Sequence, residues 1–330
     1  MADTLALSFG TPNFGGLLFN KGNTRTPFSA MIGANRKSTN HVEFATGVEF
    51  ETAVGKQPSI SEEASLIAPD SSVITRDQKT NVTQIFQYTT GISDAKRSNM
   101  GTLSGINVGG QQANPADELA FQLSAKFAEM AQDVEYTFIN GVYVKAANDT
   151  QANQSRGILE AITSNIVDAN GKGLTFMLVC EALKSIHESN GDLSNIVIGV
   201  DPITRLQLNA DAAANGLTIV DNGRTINGIN VVTVLTPLGN VQIADLKYLP
   251  VGTAVLFDPR VMGPVEQPVP GKGNFYAEPL AKMGAGDKIQ IFGQVGLDHG
   301  PEWYAAKITG LSTDMPEDEN FARRIQTVNP

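Results

Sequence analysis

Histidine and cysteine, two residue types that often carry out chemistry in proteins, are few in this chain and lie far apart. Its three histidines, His41, His187 and His299, fall in three different predicted elements. A zinc site needs histidine, cysteine or carboxylate ligands clustered at short spacings, and the sequence has no such cluster. His187 lies near a predicted helix end, where a solvated role is usual. The pattern predicts no metal site and no bound cofactor.

The single cysteine, Cys180, lies among apolar residues on a predicted helix, which favours a packed core residue over a catalytic thiol. One cysteine also excludes an intramolecular disulfide and fits a reducing cytosol. The sequence has no phosphate loop, dinucleotide fingerprint or nucleophile elbow. Catalytic triads can assemble from distant residues, but no motif here predicts one. We therefore interpret the chain as a protein without catalytic residues.

Charge narrows the class of protein further. The 330 residues carry 24 Lys and Arg against 34 Asp and Glu, a net charge of −10. Proteins that bind nucleic acid through its phosphates need clustered basic residues, and the only basic bias here lies in residues 1–40.

No apolar run approaches the roughly 20 residues needed to cross a bilayer. The start of the chain also lacks the basic and apolar stretches of a secretion signal.

Glycine and proline interrupt residues 1–40 too often for a helix or strand to continue. The segment is nevertheless apolar. Burial of each large apolar side chain contributes roughly 1.5–3 kcal/mol, so this segment is expected to dock on a folded surface. Docking on the body of the same chain and docking on a neighbouring subunit are equally compatible with this feature. The apolar residues include Phe14, Leu17, Leu18, Phe19, Phe28, Met31 and Ile32.

Residues 41–108 contain two β-like runs separated by a long, mostly polar segment. Val42, Phe44, Val48 and Phe50 follow the alternation of a half-buried strand. The second run, 82–89, includes Ile85, Phe86 and Tyr88. A long two-stranded arm is marginal alone in water, so partner subunits are expected to hold it.

A long helix is predicted over about residues 115–140. Asn114 can cap it, Pro115 suits its first turn and Gly141 can end it. At 1.5 Å per residue the helix would span about 39 Å. An ordinary amphipathic core helix has the same pattern, a single apolar stripe. The stripe consists of Leu119, Leu123, Phe127, Met130, Val134 and Phe138.

From about residue 170 the pattern is mixed α/β. Thr175 can cap a helix that ends near Asn190 and Gly191, and a second helix runs from Pro202 to about Ala214. A short buried strand is predicted at 196–200. Further strands are predicted at 229–234, 241–244, 254–257, 261–265, 288–296 and 304–308.

Three blocks of sequence carry a family resemblance. They are Thr26–Gly33; the motifs at 81–86, 117–122, 133–135 and 156–159; and the pair 255–259 and 278–284, closing with 296–297 and 305–311. In order and spacing they resemble the major capsid proteins of tailed bacteriophages with the HK97 fold, in particular the SU10-type family. The similarity runs across roughly residues 26–311.

The resemblance implies an α+β, HK97-like capsid fold. Its expected parts are an N-terminal arm (1–40), an extended two-stranded E-loop (41–108), a P-domain with a long spine helix and a sheet (109–169), a mixed α/β A-domain (170–252), a return to the P-domain (253–310) and a C-terminal tail (311–330). The six stripe residues are the expected core face of the spine helix. The expected intersubunit contacts are Phe14, Leu17, Leu18, Phe19, Phe28, Met31, Ile32, Phe44, Phe50, Ile85, Phe86 and Tyr88.

The resemblance also implies a function. The chain is expected to assemble with itself into hexamers and pentamers of an icosahedral head around double-stranded DNA, without sequence-specific DNA binding or membrane contact. Assembly is expected in the cytoplasm of the bacterial host, and the virion is the final location. Portal and decoration proteins are expected partners. A separate scaffolding protein is expected too, because the arm motif begins at Thr26.

Three alternatives remain open at this stage: one within the same fold, one enzyme class, and a tail or decoration protein, although that last class is usually richer in strands and lacks a spine helix. An encapsulin, a bacterial shell around an enzyme, has the same fold, but the glycine- and proline-rich arm argues against its cargo-binding helix. A cytosolic α/β enzyme would use residues 170–250 as a catalytic domain and would need a pocket with converging polar groups. The enzyme hypothesis leaves the arm and the long loop unexplained.

Deletion of residues 1–33 is expected to leave a folded subunit that closes no shell.

Overall fold

The computed structural model describes residues 26–50, 57–68, 70–71, 73, 76–95, 118–214, 219–220, 225–226 and 229–315. The helices within these residues are α1 (Pro27–Ile32), α2 (Glu118–Asn140), α3 (Ile158–Ala161), α4 (Phe176–Glu188) and α5 (Pro202–Ala214). None of them is both long and apolar enough to cross a membrane.

The strands of the described residues are grouped into two larger sheets and two antiparallel pairs. In chain order they are β1 (Lys37–Ser38), β2 (Glu43–Phe50), β3 (Arg76–Val82), β4 (Gln84–Ser93), β5 (Ile166–Asp168), β6 (Val197–Val200), β7 (Ile219–Val220), β8 (Thr225–Ile226), β9 (Ile229–Asn230), β10 (Val232–Thr236), β11 (Gly239–Asp245), β12 (Ala254–Phe257), β13 (Gly263–Glu266), β14 (Tyr276–Pro279), β15 (Gly286–Asp298) and β16 (Ala306–Thr309).

The five-stranded sheet is built around the long strand β15. β4 runs antiparallel along one edge of β15, from Gly286 opposite Ser93 to Val295 opposite Gln84. β14 and β13 pair with the other edge, and β1 adds to β13 in parallel. Side chains alternate between the two faces of a strand. One face of this sheet therefore packs on α2 and α1 and contributes to the first hydrophobic core.

The seven-stranded sheet has the order β5-β16-β12-β6-β11-β10-β7 and separates two hydrophobic cores. Val197 and Phe257 face the first core, which contains α1 and α2. Ile198 and Leu256 face the second, which contains α4 and α5. Strands covered on both faces are nearly continuous in apolar residues, as β6 and β12 are.

Local signals in the sequence set the ends of α4. The Thr175 hydroxyl accepts a hydrogen bond from the Leu178 amide at 3.4 Å, which caps the first turn. The helix ends at Glu188, and Asn190 has a positive φ of 63°, a conformation that asparagine tolerates. The predicted helices at 175–190 and 202–214 are confirmed.

Two other predictions have different outcomes. The run 82–89 is not the second strand of the two-stranded arm, because β2 pairs with β3 instead. The chain changes sheets at Thr83, and β4 joins the five-stranded sheet. The predicted start of the long helix, with its cap Asn114 and Pro115, lies outside the described residues. The division into an arm, a loop, two domains and a tail stays a prediction.

Candidate functional site

The residues that sequence patterns single out for chemistry are placed apart. His41 is exposed, His187 lies in the last turn of α4, and His299 is buried after β15. Burial lowers the pKa of His299 to about 4, so its ring is neutral at pH 7. Burial raises the pKa of the Cys180 thiol, which disfavours the reactive thiolate. No group of three potential metal ligands occurs among the described residues.

A buried carboxylate on α2 is the least expected polar group of the molecule. Glu135 is fully covered, and its two oxygens accept hydrogen bonds from the Phe28 amide at 2.8 Å and the Ser29 amide at 2.7 Å. The Ser29 hydroxyl also donates to it, at 2.5 Å. Burial, opposed by these hydrogen bonds, raises the pKa of Glu135 to about 7. The carboxylate joins the start of α1 to the long helix, a structural role that sequence patterns did not indicate.

Three residues expected to contact a neighbouring subunit are instead in the core of their own chain. Phe28, Met31 and Ile32 belong to α1 and are at most 2% exposed. The Phe28 ring packs edge-on against Phe257, with a centroid distance of 5.0 Å. A fully covered side chain has no surface left for a second subunit. This corrects the expectation for these residues, and docking on the same chain applies to them.

The expected contacts on β2 and β4 are placed in different surroundings. Phe86 is buried in the first core and is corrected in the same way. Tyr88 is half-buried, and its hydroxyl donates to Asp133; burial and this carboxylate raise its pKa above the usual range. Phe44 is half-buried and Ile85 is exposed, so for these two the prediction stands untested. Phe14, Leu17, Leu18, Phe19 and the side chain of Phe50 lie outside the described residues.

The stripe predicted on the long helix faces the first core. Phe127, Met130, Val134 and Phe138 are buried. Leu119 and Leu123 are partly buried and pack against the same core. The helix is therefore covered more completely over its second half, and Phe121 is exposed in the first half.

The distal loop, residues 57–73 between β2 and β3, carries an apolar surface that sequence reasoning treated as polar. Every described residue of this loop is exposed. Four large side chains are among them: Ile60 at 65%, Leu66 at 83%, Ile67 at 76% and Val73 at 87% exposure. Isolated exposed apolar residues are ordinary, and larger exposed apolar surfaces are typical of interaction sites, so this loop is a candidate for one. Their spacing shows no strand or helix period, which is why pattern analysis missed them.

The base of the β2–β3 hairpin rests on the turn after β15. Glu302, almost fully buried, accepts a hydrogen bond from Lys79 of β3 at 2.9 Å. The Asn81 side-chain amide donates to the Leu297 carbonyl at 2.7 Å and to the Arg156 carbonyl at 3.1 Å. The Phe44 ring lies against Gly296, where a Cβ would approach it to 2.7 Å. These contacts fix the root of the hairpin, while the described residues of its distal loop are all exposed.

Arg260 joins the segment between α4 and β6 to the residue that follows β12. Its guanidinium donates to the fully buried Asp258 at 2.6 Å and to Asp192 at 2.8 Å. Asp192 lies between α4 and β6, and Asp258 directly follows β12. Hydrogen bonds from Ser194 and Arg260 lower the pKa of Asp192. This arrangement is a structural clamp and has no reacting group.

Comparisons with known proteins agree with a structural role. The model of the SU10 major capsid protein family matches residues 2–312. A search of curated proteins finds no match. Similar solved structures are the capsid of cyanophage A-1(L) (9% identity, 88% of this chain and 93% of that chain, TM-score 0.60) and the holo-SrpI encapsulin complex from Synechococcus elongatus PCC 7942 (11% identity, 96% of each chain, TM-score 0.57).

A third similar structure is from Mycobacterium phage Patience (10% identity, 92% of this chain and 89% of that chain, TM-score 0.56). At such identities the likeness shows the fold alone, which is the HK97-like capsid fold. The encapsulin likeness therefore carries no argument for a cargo shell. Because the family model matches nearly the whole chain, including both sheets, the long helix and the hairpin, the protein belongs to the SU10 major capsid protein family and is a shell subunit of a tailed-phage virion.

Proposed function

We propose that the protein forms hexamers and pentamers and that the distal loop of the β2–β3 hairpin docks on the neighbouring subunit within each ring. The exposure of Ile60, Leu66, Ile67 and Val73 carries this proposal. Burying a large aliphatic side chain contributes roughly 1.5–3 kcal/mol. A two-stranded hairpin is marginal alone in water, so docking would also hold its strands in place.

The geometry of such a contact favours ring closure. The loop of one subunit meets a different surface on the next, so the contact is heterologous. Heterologous contacts generate closed rings when the rotation between subunits closes. Five-fold and six-fold rings are the units from which an icosahedral head is built, and we place double-stranded DNA inside that head.

The chemistry of the chain supports packaging without specific DNA recognition. A net charge of −10 disfavours adhesion to a polyanion. The protein would act by assembly and without catalysis, in the cytoplasm of the bacterial host. A separate scaffolding protein, a portal and decoration proteins complete the proposed set of partners.

Electron microscopy of the purified full chain tests the proposal. The wild-type protein is expected to form closed shells under assembly conditions, alone or together with the proposed scaffolding protein. The double variant Leu66→Asp with Ile67→Asp is expected to stay as folded subunits or small oligomers, because charged groups resist burial in an apolar contact.

The matched control changes the same loop without its apolar side chains. Glu62 and Glu63 are exposed in that loop, and the double variant Glu62→Gln with Glu63→Gln is expected to form shells like the wild type. If the aspartate variant also closes normal shells, the distal loop has no role in assembly and the proposal is wrong.

A further inference from the structure

The Glu302 carboxylate is held by the body of the subunit through one of its two oxygens. Oε1 accepts hydrogen bonds from the Thr163 amide at 2.6 Å and the Thr163 hydroxyl at 2.7 Å, and the Ser164 amide donates to the same atom. Burial alone would raise the pKa of Glu302, but these donors and Lys79 outweigh it and lower the pKa to about 2. Glu302 is therefore an oriented anion at neutral pH.

The second oxygen of Glu302 faces the hairpin. Oε2 accepts from Lys79 Nζ at 2.9 Å, and the side chains are 26% exposed for Lys79 and 8% for Glu302. Charge-assisted hydrogen bonds between partly desolvated groups are stronger than neutral ones. Because Oε1 is held by the body of the subunit, the carboxylate is already oriented where Lys79 contacts Oε2.

The backbone beside this pair brings the hairpin directly onto the turn after β15. The register of β2 against β3 shifts between Ala45 and Val48, a β-bulge next to Lys79. At the bulge, a Cβ on Gly47 would lie 2.7 Å from the Gly300 carbonyl oxygen and from Pro301 Cα. Only glycine permits this approach. The hairpin thus touches the turn through a close backbone contact and an ion pair.

We propose that Glu302 is a preformed receptor for the Lys79 ammonium and that this pair, with the Gly47 contact, fixes the direction in which the hairpin leaves the subunit. Lys79 and Glu302 are then positioning residues for assembly. The inference rests on the proposed docking of the distal loop, since a loop at the end of a hairpin reaches its partner only when the root is oriented.

A second ion pair at the same root supplies a matched comparison. Lys145 pairs with Glu43 of β2, but these side chains are 55% and 36% exposed. Exposed pairs contribute little because water screens them and their side chains lose entropy. Both ion pairs therefore join the hairpin to the body of the subunit. Lys79 of the hairpin meets the buried and oriented Glu302, whereas Glu43 of the hairpin meets the solvated Lys145.

Hydrogen exchange of the unassembled subunit tests the pair directly. In Lys79→Met, backbone amides of β2 and β3 are expected to exchange about tenfold faster, the factor that corresponds to losing about 1.4 kcal/mol. Lys145→Met is expected to leave these rates unchanged, and Lys79→Arg is expected to restore slow exchange by retaining the charge. Circular dichroism and exchange in α2 and β15 are expected to match the wild type in all three variants.

Shell assembly separates this inference from the proposed function. Lys79→Met is expected to lower the yield of closed shells about tenfold, with Lys145→Met and Lys79→Arg close to the wild type. Unchanged exchange in β2 and β3 would overturn the inference, and so would normal assembly of Lys79→Met while the Leu66 and Ile67 double variant fails. Normal assembly of that double variant would instead overturn the proposed function.

Discussion

At the scale of single residues, Glu135 combines full burial with a role in holding the chain start to the long helix. Its three donors all come from Phe28 and Ser29, 107 and 106 positions away in the sequence. Because the carboxylate is desolvated, its pKa rises from 4.5 to about 7. A buried acid with a raised pKa couples stability to pH.

We predict that Glu135 makes the subunit less stable as the pH rises from about 4.5 to about 7. The folded state binds a proton more tightly than the unfolded state, so the stabilisation is full below pH 4.5 and lost above pH 7. The loss amounts to about 3 kcal/mol of unfolding free energy. Urea unfolding at a series of pH values measures it.

The variant Glu135→Gln isolates this effect from other titrating groups. His299 acts in the opposite direction, since its pKa of about 4 lies below the ordinary 6.5 and stability falls as the pH drops between these values. The difference between the wild type and Glu135→Gln is expected to vary with pH by about 3 kcal/mol. Glu129→Gln, on the exposed side of the same helix, is expected to keep the wild-type profile.

At the scale of elements, the long helix has a covered face, formed by its apolar stripe, and an exposed face. Phe127 is 7% exposed and Phe121 is 62% exposed, although both lie on the same helix. Phe127 belongs to the apolar stripe and packs in the first core, whereas Phe121 lies off that stripe. The same substitution at the two positions therefore has different consequences.

We predict that Phe127→Asp prevents folding of the subunit, because an unpaired charge in an apolar core costs several kcal/mol. Phe121→Asp is expected to change the free energy of unfolding by less than about 1 kcal/mol, as surface substitutions usually do. Far-ultraviolet circular dichroism with thermal unfolding compares the two. A stable, cooperatively folded Phe127→Asp subunit would show that the apolar stripe of the helix is not part of the core.

At the scale of the whole molecule, the described end of the predicted N-terminal arm contributes to the core of its own chain. Residues 27–32 form α1 and are buried against α2 and β12. A deletion of residues 1–33 would therefore remove a part of the core, which corrects the expectation that it leaves a folded subunit. A deletion that ends before Thr26 retains these core residues.

We predict that deletion of residues 1–25 leaves a subunit that unfolds like the full chain, while deletion of 1–33 destabilises it by several kcal/mol through the loss of Phe28, Met31 and Ile32. Chemical denaturation measures both variants. Electron microscopy of the shorter deletion then reports on residues 1–25 alone. Equal stability of the two deletions would contradict the placement of α1 in the core.

The sequence by itself determined the elements whose signals are local. The apolar stripe of α2, the Thr175 cap of α4, the opening of α5 at Pro202 and the apolar strand Ala254–Phe257 all depend on neighbours a few positions away. The order of its blocks also indicated the capsid family. The local elements follow from periodicity and capping, which a linear sequence records, whereas the family was indicated by resemblance alone.

Only the tertiary structure decided which segments meet. The strand partner of β3, the burial of Phe28, the Glu135 contacts and the Lys79–Glu302 pair join residues far apart in the chain. Whether an apolar side chain is covered by its own chain or remains for a neighbour depends on the packing of all elements together. The sequence therefore predicted only that the chain start and the hairpin need a docking surface. The structure shows that α1 docks on its own chain, whereas the distal loop of the hairpin is exposed.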